Sequence, residues 1–439
     1  MDINALIQKY DQPVPRYTSY PTAVHFNHSI SQRHYLTQLE QLNAEQAVSL
    51  YLHIPFCHIL CHYCGCQTKA VNSYSAVNTY VQSLLKEIEL VGKSLTHKIS
   101  VSHLHFGGGS PNFLSAGDLG KIMGSLSRYF DLTKDAEIAM ETDPRLMDDD
   151  KIKTLAELGF TRISLGVQDF NPEVQDAVNR VQPFAEVQHC VNTLREQGIN
   201  KINFDLMLGL PLQTLAGIKQ TVTQAISLQP DRLAVFAYAH VPWMKKHQVL
   251  LEKYPMPGAK LRFDMAMCIK QELNWAGYQS IGIDHFALPT DSLYTAQQQS
   301  RLRRNFQGYT DDQAQDIIGF GLSSISFIGG SYMQNSSDSL AYRQSVRAGK
   351  YPVNRGRVMT KQDQQRHAVI EKIMCGYQVD VCEYAGAIES LKGLKKDKLL
   401  TIDGTKIQVT EKGWPFARIV AAHFDDYYQV QEGQHARAI

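Results

Sequence analysis

Between about residue 47 and residue 240 the sequence alternates short apolar runs with amphipathic stretches of helical period. That alternation restricts the chain to a largely parallel sheet joined by crossover helices. The strand candidates are AVSLYLHI, VSHLHFGG, EIAMETDP, RISLGVQD, KINFDLMLGLP and RLAVFAYAH. Between them lie helical stretches such as TYVQSLLKEIELVGKSL, DKIKTLAELG, AEVQHCVNTLREQG and LAGIKQTVTQAISLQP. Six parallel strands in this order predict an α/β fold, an open (βα)6 barrel of the TIM-like kind; a doubly wound sheet is the alternative. Both architectures bring ligands to the loops beyond the carboxyl ends of the strands, and the unusual residues fall there. A cysteine cluster follows the first strand and GGGS the second, Glu141 ends the third and Gln168 the fourth, Asp205 lies on the fifth, and Tyr238 to His240 end the sixth.

The barrel is expected over residues 47–245, after an N-terminal arm (1–46). A helical and mixed extension (246–355) follows, carrying GIDHFALP and RRNFQGYT. The last part (356–439) is a small, mostly helical domain in which a helix (DQQRHAVIEKIMCGY), a hairpin (LLTIDGTKIQVT, turning at Asp403-Gly404) and a closing helix (PFARIVAAHFDDYY) resemble a winged-helix module. A net charge of +1 with no long block of one sign leaves little to attract nucleic acid. No run approaches the roughly 18 apolar residues of a membrane span, and the first residues lack a signal-peptide pattern. The expectation is a cytoplasmic monomer with no nucleic-acid or membrane partner.

Four of the eight cysteines lie in LYLHIPFCHILCHYCGCQTKA. In a reducing compartment such crowding points to a metal or redox site rather than to disulfides. Zinc sites usually pair Cys-x2-Cys with a second pair, which is missing here. Cys57-x3-Cys61-x2-Cys64 instead suits three irons of a four-iron, four-sulfur cluster, leaving the fourth iron without a protein ligand. From spacing alone a zinc site or a chance grouping stays open.

The same spacing resembles the radical S-adenosylmethionine (SAM) superfamily. Segments along nearly the whole chain resemble one of its families, the oxygen-independent coproporphyrinogen III oxidases or coproporphyrinogen dehydrogenases: PRYTSYPTA, HIPFCxxxCxYCGC, GGGSP, ETDPR, GVQDFN, NFDLMLGLP, YAH, IDHFA and RNFQGYT. The resemblance implies a [4Fe-4S] cluster on Cys57, Cys61 and Cys64, two SAM molecules, and an arm that closes over the active site. Cys66 matches a family cysteine near the cluster that is not a ligand, and it stands with Tyr51 as a candidate catalytic residue. Around the first SAM the resemblance implies Tyr51, Gly108, Glu141 and Ile325. Around the second it implies Tyr63, Gly109, Ser110, Gln168, Arg180, Asp205 and Ala239. Arg16 is expected to shape the substrate region, while internal packing is an equal expectation for His285 and Arg304.

The implied reaction is oxidative decarboxylation of two propionates of coproporphyrinogen III to vinyl groups, giving protoporphyrinogen IX in haem biosynthesis. It is begun by a 5′-deoxyadenosyl radical from SAM and needs an electron donor for the cluster and an electron acceptor. The alternatives are a haem chaperone of the same superfamily or a radical SAM enzyme that modifies haem. Cys66 and the PRYTSYPT arm favour the oxidase over the chaperone, and the arm favours it over the haem-modifying enzyme.

Overall fold

The computed structural model describes residues 2–429 and 437–438. Its centre is a partial barrel of six successive parallel strands: β1 (Val48–Ile54), β2 (Ile99–Gly108), β3 (Phe130–Thr142), β4 (Arg162–Gln168), β5 (Lys201–Leu208) and β6 (Arg232–Ala237). Helices Ser75–Ser94, Ala116–Leu126, Asp149–Glu157, Phe184–Glu196 and Leu215–Ser227 cross between them. Such strands read as near-continuous apolar runs because both faces are covered. In β1 every residue except Tyr51 is buried. Helix starts follow local chemistry: the side chains of Ser115, Asp148 and Thr214 each accept a backbone N–H three residues on, satisfying a donor that has no partner within the helix.

The third strand begins at Phe130, earlier than the expected EIAMETDP. Its first half, FDLTKDAE, is largely exposed and polar, so it carries no apolar alternation to mark it as a strand. The closing C-terminal helix is shorter than PFARIVAAHFDDYY. A 3-10 turn over Trp414–Phe416 precedes a helix of Ala417–Ala422, and Asp425 then caps a turn by accepting from Tyr427 N at 2.9 Å.

The region after the barrel contributes more sheet than its helical and mixed sequence suggests. Beyond β6 it adds the antiparallel pair β7 (Gln279–Ile281) and β8 (His285–Ala287), with β8 against β6. Beyond β1 it adds β9 (Ile317–Phe320), parallel to β1, followed by the antiparallel β10 (Ile325–Ile328), β11 (Ser331–Asn335) and β12 (Val353–Val358). One 12-stranded sheet therefore runs β12-β11-β10-β9-β1-β2-β3-β4-β5-β6-β8-β7. The buried Glu87 carboxylate ties this added edge to the barrel by accepting from Gly321 N (2.8 Å), Asn335 Nδ2 (2.6 Å) and Tyr342 Oη (2.6 Å).

A second apolar core joins the two ends of the chain. Leu6, Ile7, Val14 and Tyr17 of the arm pack with Ile370, Ile373, Phe416 and Val420 of the C-terminal region. Polar contacts fix the same docking: Tyr10 Oη donates to Asp397 at 2.6 Å and Tyr17 Oη to Asp425 at 3.1 Å. Among the described residues no helix is long and apolar enough to cross a membrane.

Candidate functional site

The cysteine loop leaves the carboxyl end of β1 and is closed at its base by a short parallel pairing of Phe56–Cys57 with Lys69–Ala70. Its outer backbone is held from behind: Lys245 Nζ donates to Cys66 O (2.8 Å), Gln248 Nε2 to Tyr63 O (2.9 Å), and a His247 ring nitrogen lies 2.8 Å from Cys64 O. With its backbone restrained, the loop presents all four thiols to one cavity of about 760 Å³ at the strand ends.

The sulfurs carry their own hydrogen-bond partners. Thr68 Oγ1 is 3.0 Å from Cys57 Sγ, Ser110 Oγ donates to the same sulfur at 3.6 Å, and Arg180 Nη1 and Arg145 Nη2 reach Cys61 Sγ at 3.5 and 3.9 Å. Such donors stabilise thiolate and tune the potential of a bound iron-sulfur group. A hydrogen bond from Cys66 lowers the Cys64 thiol to about 7, while Cys66 itself is raised, so of this pair Cys66 keeps the proton. Among the described residues no three Cys, His, Asp or Glu side chains converge on a point that would hold a single metal ion. A cubic cluster attaches its thiolates to separate corners, which suits a donor set of Cys57, Cys61 and Cys64 with hydrogen-bond donors at the sulfurs.

Across the cavity the GGGS turn is pinned to the cysteine loop by Gly109 N to Ile54 O and Ser110 N to Phe56 O, both 2.8 Å. A Cβ on Gly109 would lie 2.6 Å from Phe56 O and from Thr68 Oγ1, and Gly108 has φ +117° with its Cβ position against the His53 ring. Both must be glycine for the turn to approach this closely.

The next strand ends bring carboxylates with opposite tendencies. Burial works against the Glu141 charge, but the hydrogen bond and charge of His105 (3.2 Å), Gly108 N (3.0 Å) and nearby His53 together hold its carboxyl below the usual value. Asp205 is raised to about 7 by burial, with the Glu141 charge adding to the shift, and receives one hydrogen bond from Ser164 Oγ at 3.3 Å. Environments that separate two neighbouring carboxyls in this way are typical of sites that handle protons. Arg180 is buried, 3.3 Å from Asp143 Oδ2, and donates to Gly166 O at 2.6 Å, yet its Nε has no partner.

Of the residues singled out from the sequence at the strand ends and in the family motifs, the structure brings all but Tyr51, His240 and Ile325 to the wall of this cavity. Tyr51 stands behind it, its hydroxyl 3.1 Å from His53 Nδ1 and its ring stacked on His105 at 6.0 Å. Ile325 starts β10, on the far side of β9, and packs against the cluster formed by Phe26, Tyr332 and Met359. Several functional neighbours went unremarked in the sequence. Asp143 and Arg145 sit inside the quoted ETDPR, immediately after the strand end, a position that already marked them. Thr68 and His105 carry no comparable signal, since each matters only through a partner distant in sequence.

A family model of the radical SAM superfamily matches residues 51–225. Oxygen-independent coproporphyrinogen III oxidase of Bradyrhizobium diazoefficiens is 40% identical, the alignment covering 98% of each chain. The protein of that name from Pseudomonas aeruginosa is 40% identical over 96% of this chain and 95% of its own. Among solved structures, coproporphyrinogen III oxidase from Escherichia coli, described as a radical SAM enzyme, superposes with a TM-score of 0.90 at 36% identity, covering 97% of this chain and 99% of that one. Similarity of this extent, together with three cysteines facing a cavity at the strand ends of a partial barrel, means that the chain belongs to the oxygen-independent coproporphyrinogen III oxidases, radical SAM oxidoreductases that work with a [4Fe-4S] cluster and SAM.

Proposed function

We propose that the protein oxidatively decarboxylates two propionates of coproporphyrinogen III to vinyl groups, giving protoporphyrinogen IX, with Cys57, Cys61 and Cys64 holding the cluster and two SAM molecules beside it. The observation that carries this reading is the convergence of those cysteines, Glu141, Arg180 and Asp205 on one cavity. When bound, the cluster and SAM supply one-electron chemistry able to take hydrogen from an unactivated carbon. Each propionate then loses a β-hydrogen and carbon dioxide, and one electron passes to an acceptor.

The chain's own groups position and protect. Glu141, kept ionised, suits an ammonium or a ribose hydroxyl; Arg180, with Nε unpartnered, suits a carboxylate. Gly108 and Gly109 admit close approach of a ligand to backbone. Tyr51, Gly108, Glu141 and Ile325 are assigned to the first SAM. Tyr63, Gly109, Ser110, Gln168, Arg180, Asp205 and Ala239 are assigned to the second. Cys66, whose thiol is raised by its hydrogen bond with Cys64 and by burial, is assigned with Tyr51 as a catalytic residue beside the cluster and not as a fourth ligand. The arm contributes Arg16, whose Nη2 donates to Ala237 O at 3.2 Å and shields the space from bulk water. Division into arm, barrel, extension and C-terminal domain, a cytoplasmic location and a monomeric state belong to the same reading.

The test is anaerobic reconstitution with iron and sulfide, followed by a reductant, SAM and coproporphyrinogen III. Protoporphyrinogen and carbon dioxide are expected. Cleavage of SAM with tight haem binding and no decarboxylation would replace this reading with the chaperone.

A further inference from the structure

A second cavity, of about 740 Å³, adjoins the first. The two share Arg16, residues 236–239, Asp284 and Arg304, so the end of β6 and two guanidiniums form the boundary between them. The far walls are apolar, with Phe263, Met267, Phe286 and Trp414 among them. Its volume falls within the range of about 300–1,000 Å³ typical of small-molecule sites.

Among the described residues the charges around it do not balance. Five arginines line this space, Arg16, Arg262, Arg304, Arg418 and Arg437. Two carboxylates pair with them. Asp11 takes Arg437 Nε at 3.0 Å and Arg262 Nη2 at 3.8 Å, and Asp284 lies 3.7 Å from Arg304 Nη2 while also meeting His285 Nδ1 at 2.7 Å. The lining Glu411 is 3.3 Å from Lys270. Among the described residues neither Arg16 nor Arg418 has a carboxylate within ion-pair distance. Arg418 is buried and donates only to backbone: Val14 O (3.3 Å), Arg437 O and Ala438 O (both 2.7 Å). Burial, with Arg16 nearby, lowers it to about 10, which still leaves it charged at neutral pH. The Arg304 side chain is 4% exposed, its guanidinium lies over the Tyr309 ring at 4.3 Å, and its Nε and Nη1 have no partner. The buried Nε and Nη1 of Arg304, left without acceptors, are costly unless a ligand completes them, and a carboxylate matches that fork; Arg418, satisfied by backbone oxygens, adds a buried positive charge with no carboxylate among the described residues to offset it.

We propose that the second cavity receives the ring of a polycarboxylate cyclic tetrapyrrole. Arg304 and Arg418 bind the carboxylates that are not reacting, and the reacting side chain passes the Arg16 boundary towards the cysteine loop. The identity of the tetrapyrrole rests on the function proposed above; the anion site rests on the arginines themselves. A substrate with four carboxylates always has some to anchor while another reacts, and an excess of guanidiniums lets either end of the ring be held.

The test uses the full-length reconstituted protein and fluorescence titration with coproporphyrin III, a stable tetracarboxylate, against its tetramethyl ester. Wild-type protein is expected to bind the acid at least about tenfold tighter than the ester, and Arg304→Gln and Arg418→Gln each to lose about tenfold for the acid with iron content unchanged. Lysine at either position recovers part of the loss, because charge returns without the fork. Equal wild-type affinity for acid and ester overturns the proposal, as do folded glutamine variants that bind like wild type. If Arg418→Gln fails to fold, Arg304→Gln and the ester comparison still decide. Normal decarboxylation with unchanged KM in both variants removes the anion site and leaves the function standing. Arginine-dependent binding without decarboxylation does the reverse.

Discussion

The two adjoining cavities settle their charges differently. In the first, most charged groups away from the shared boundary find a counterpart close by: Glu141 meets His105, Asp143 meets Arg145 and Arg180, and Arg162 meets Glu137 at 3.0 Å and Asp291 at 3.3 Å. In the second, among the described residues, guanidiniums from the arm, the hairpin at Arg303–Thr310 and the C-terminal helix outnumber their carboxylates. A balanced wall suits a ligand bearing both signs, as SAM does, whereas a lopsided wall is completed by anions. One large enzyme site can thus be divided by electrostatics before any ligand is seen.

The largest expected effect separates the two spaces outright. Cys57→Ala should lose cluster absorbance and all turnover yet still bind coproporphyrin III; loss of that binding as well would break the division. Next comes Arg180→Leu, which leaves Gly166 O with the weaker donor Gln182 Nε2 at 3.2 Å and Asp143 with Arg145 alone. Breaking a buried pair of this kind costs on the order of 3 kcal/mol, measurable as a lowered melting temperature of the cluster-free chain.

Asp205 gives a smaller effect with a definite sign. Burial raises its carboxyl from 3.8 to about 7, so between those values the folded chain keeps a proton that the unfolded chain has released. Stability from this group therefore falls as pH rises through that window and levels off above it. Asp205→Asn should flatten the slope, seen by comparing melting temperatures at about pH 5 and about pH 8. An unchanged slope would place Asp205 outside the titration. The smallest effect is expected from Cys66→Ser, which should retain the iron and sulfide content of the wild type; loss of iron would make Cys66 a ligand after all.

The first cavity was largely legible in the sequence, because each of its features lies in a short contiguous motif at the carboxyl end of one strand. Strand order then brings them together. Ile325 belongs to no such motif: it is an isolated apolar residue on a short added strand, packed beside the Phe26–Tyr332–Met359 cluster, and only the family resemblance assigns it to the first SAM. The added strands themselves were missed because they are only three to six residues long and broken by glycine and serine, so no period has room to develop. Arg418 gave no signal at all. In sequence it belongs to a helix of small apolar residues, and its buried partners include Val14, near the opposite end of the chain.

The docking of the arm on the C-terminal region has a consequence for how the molecule is made. Leu6, Ile7 and Val14 are synthesised long before their packing partners Phe416 and Val420, which lie far downstream in the chain. All the barrel strands and the cysteine loop precede those partners in the chain, so they are made before the arm has its docking surface. Synthesis of Phe416 and Val420 then supplies the apolar surface on which the N-terminal residues pack.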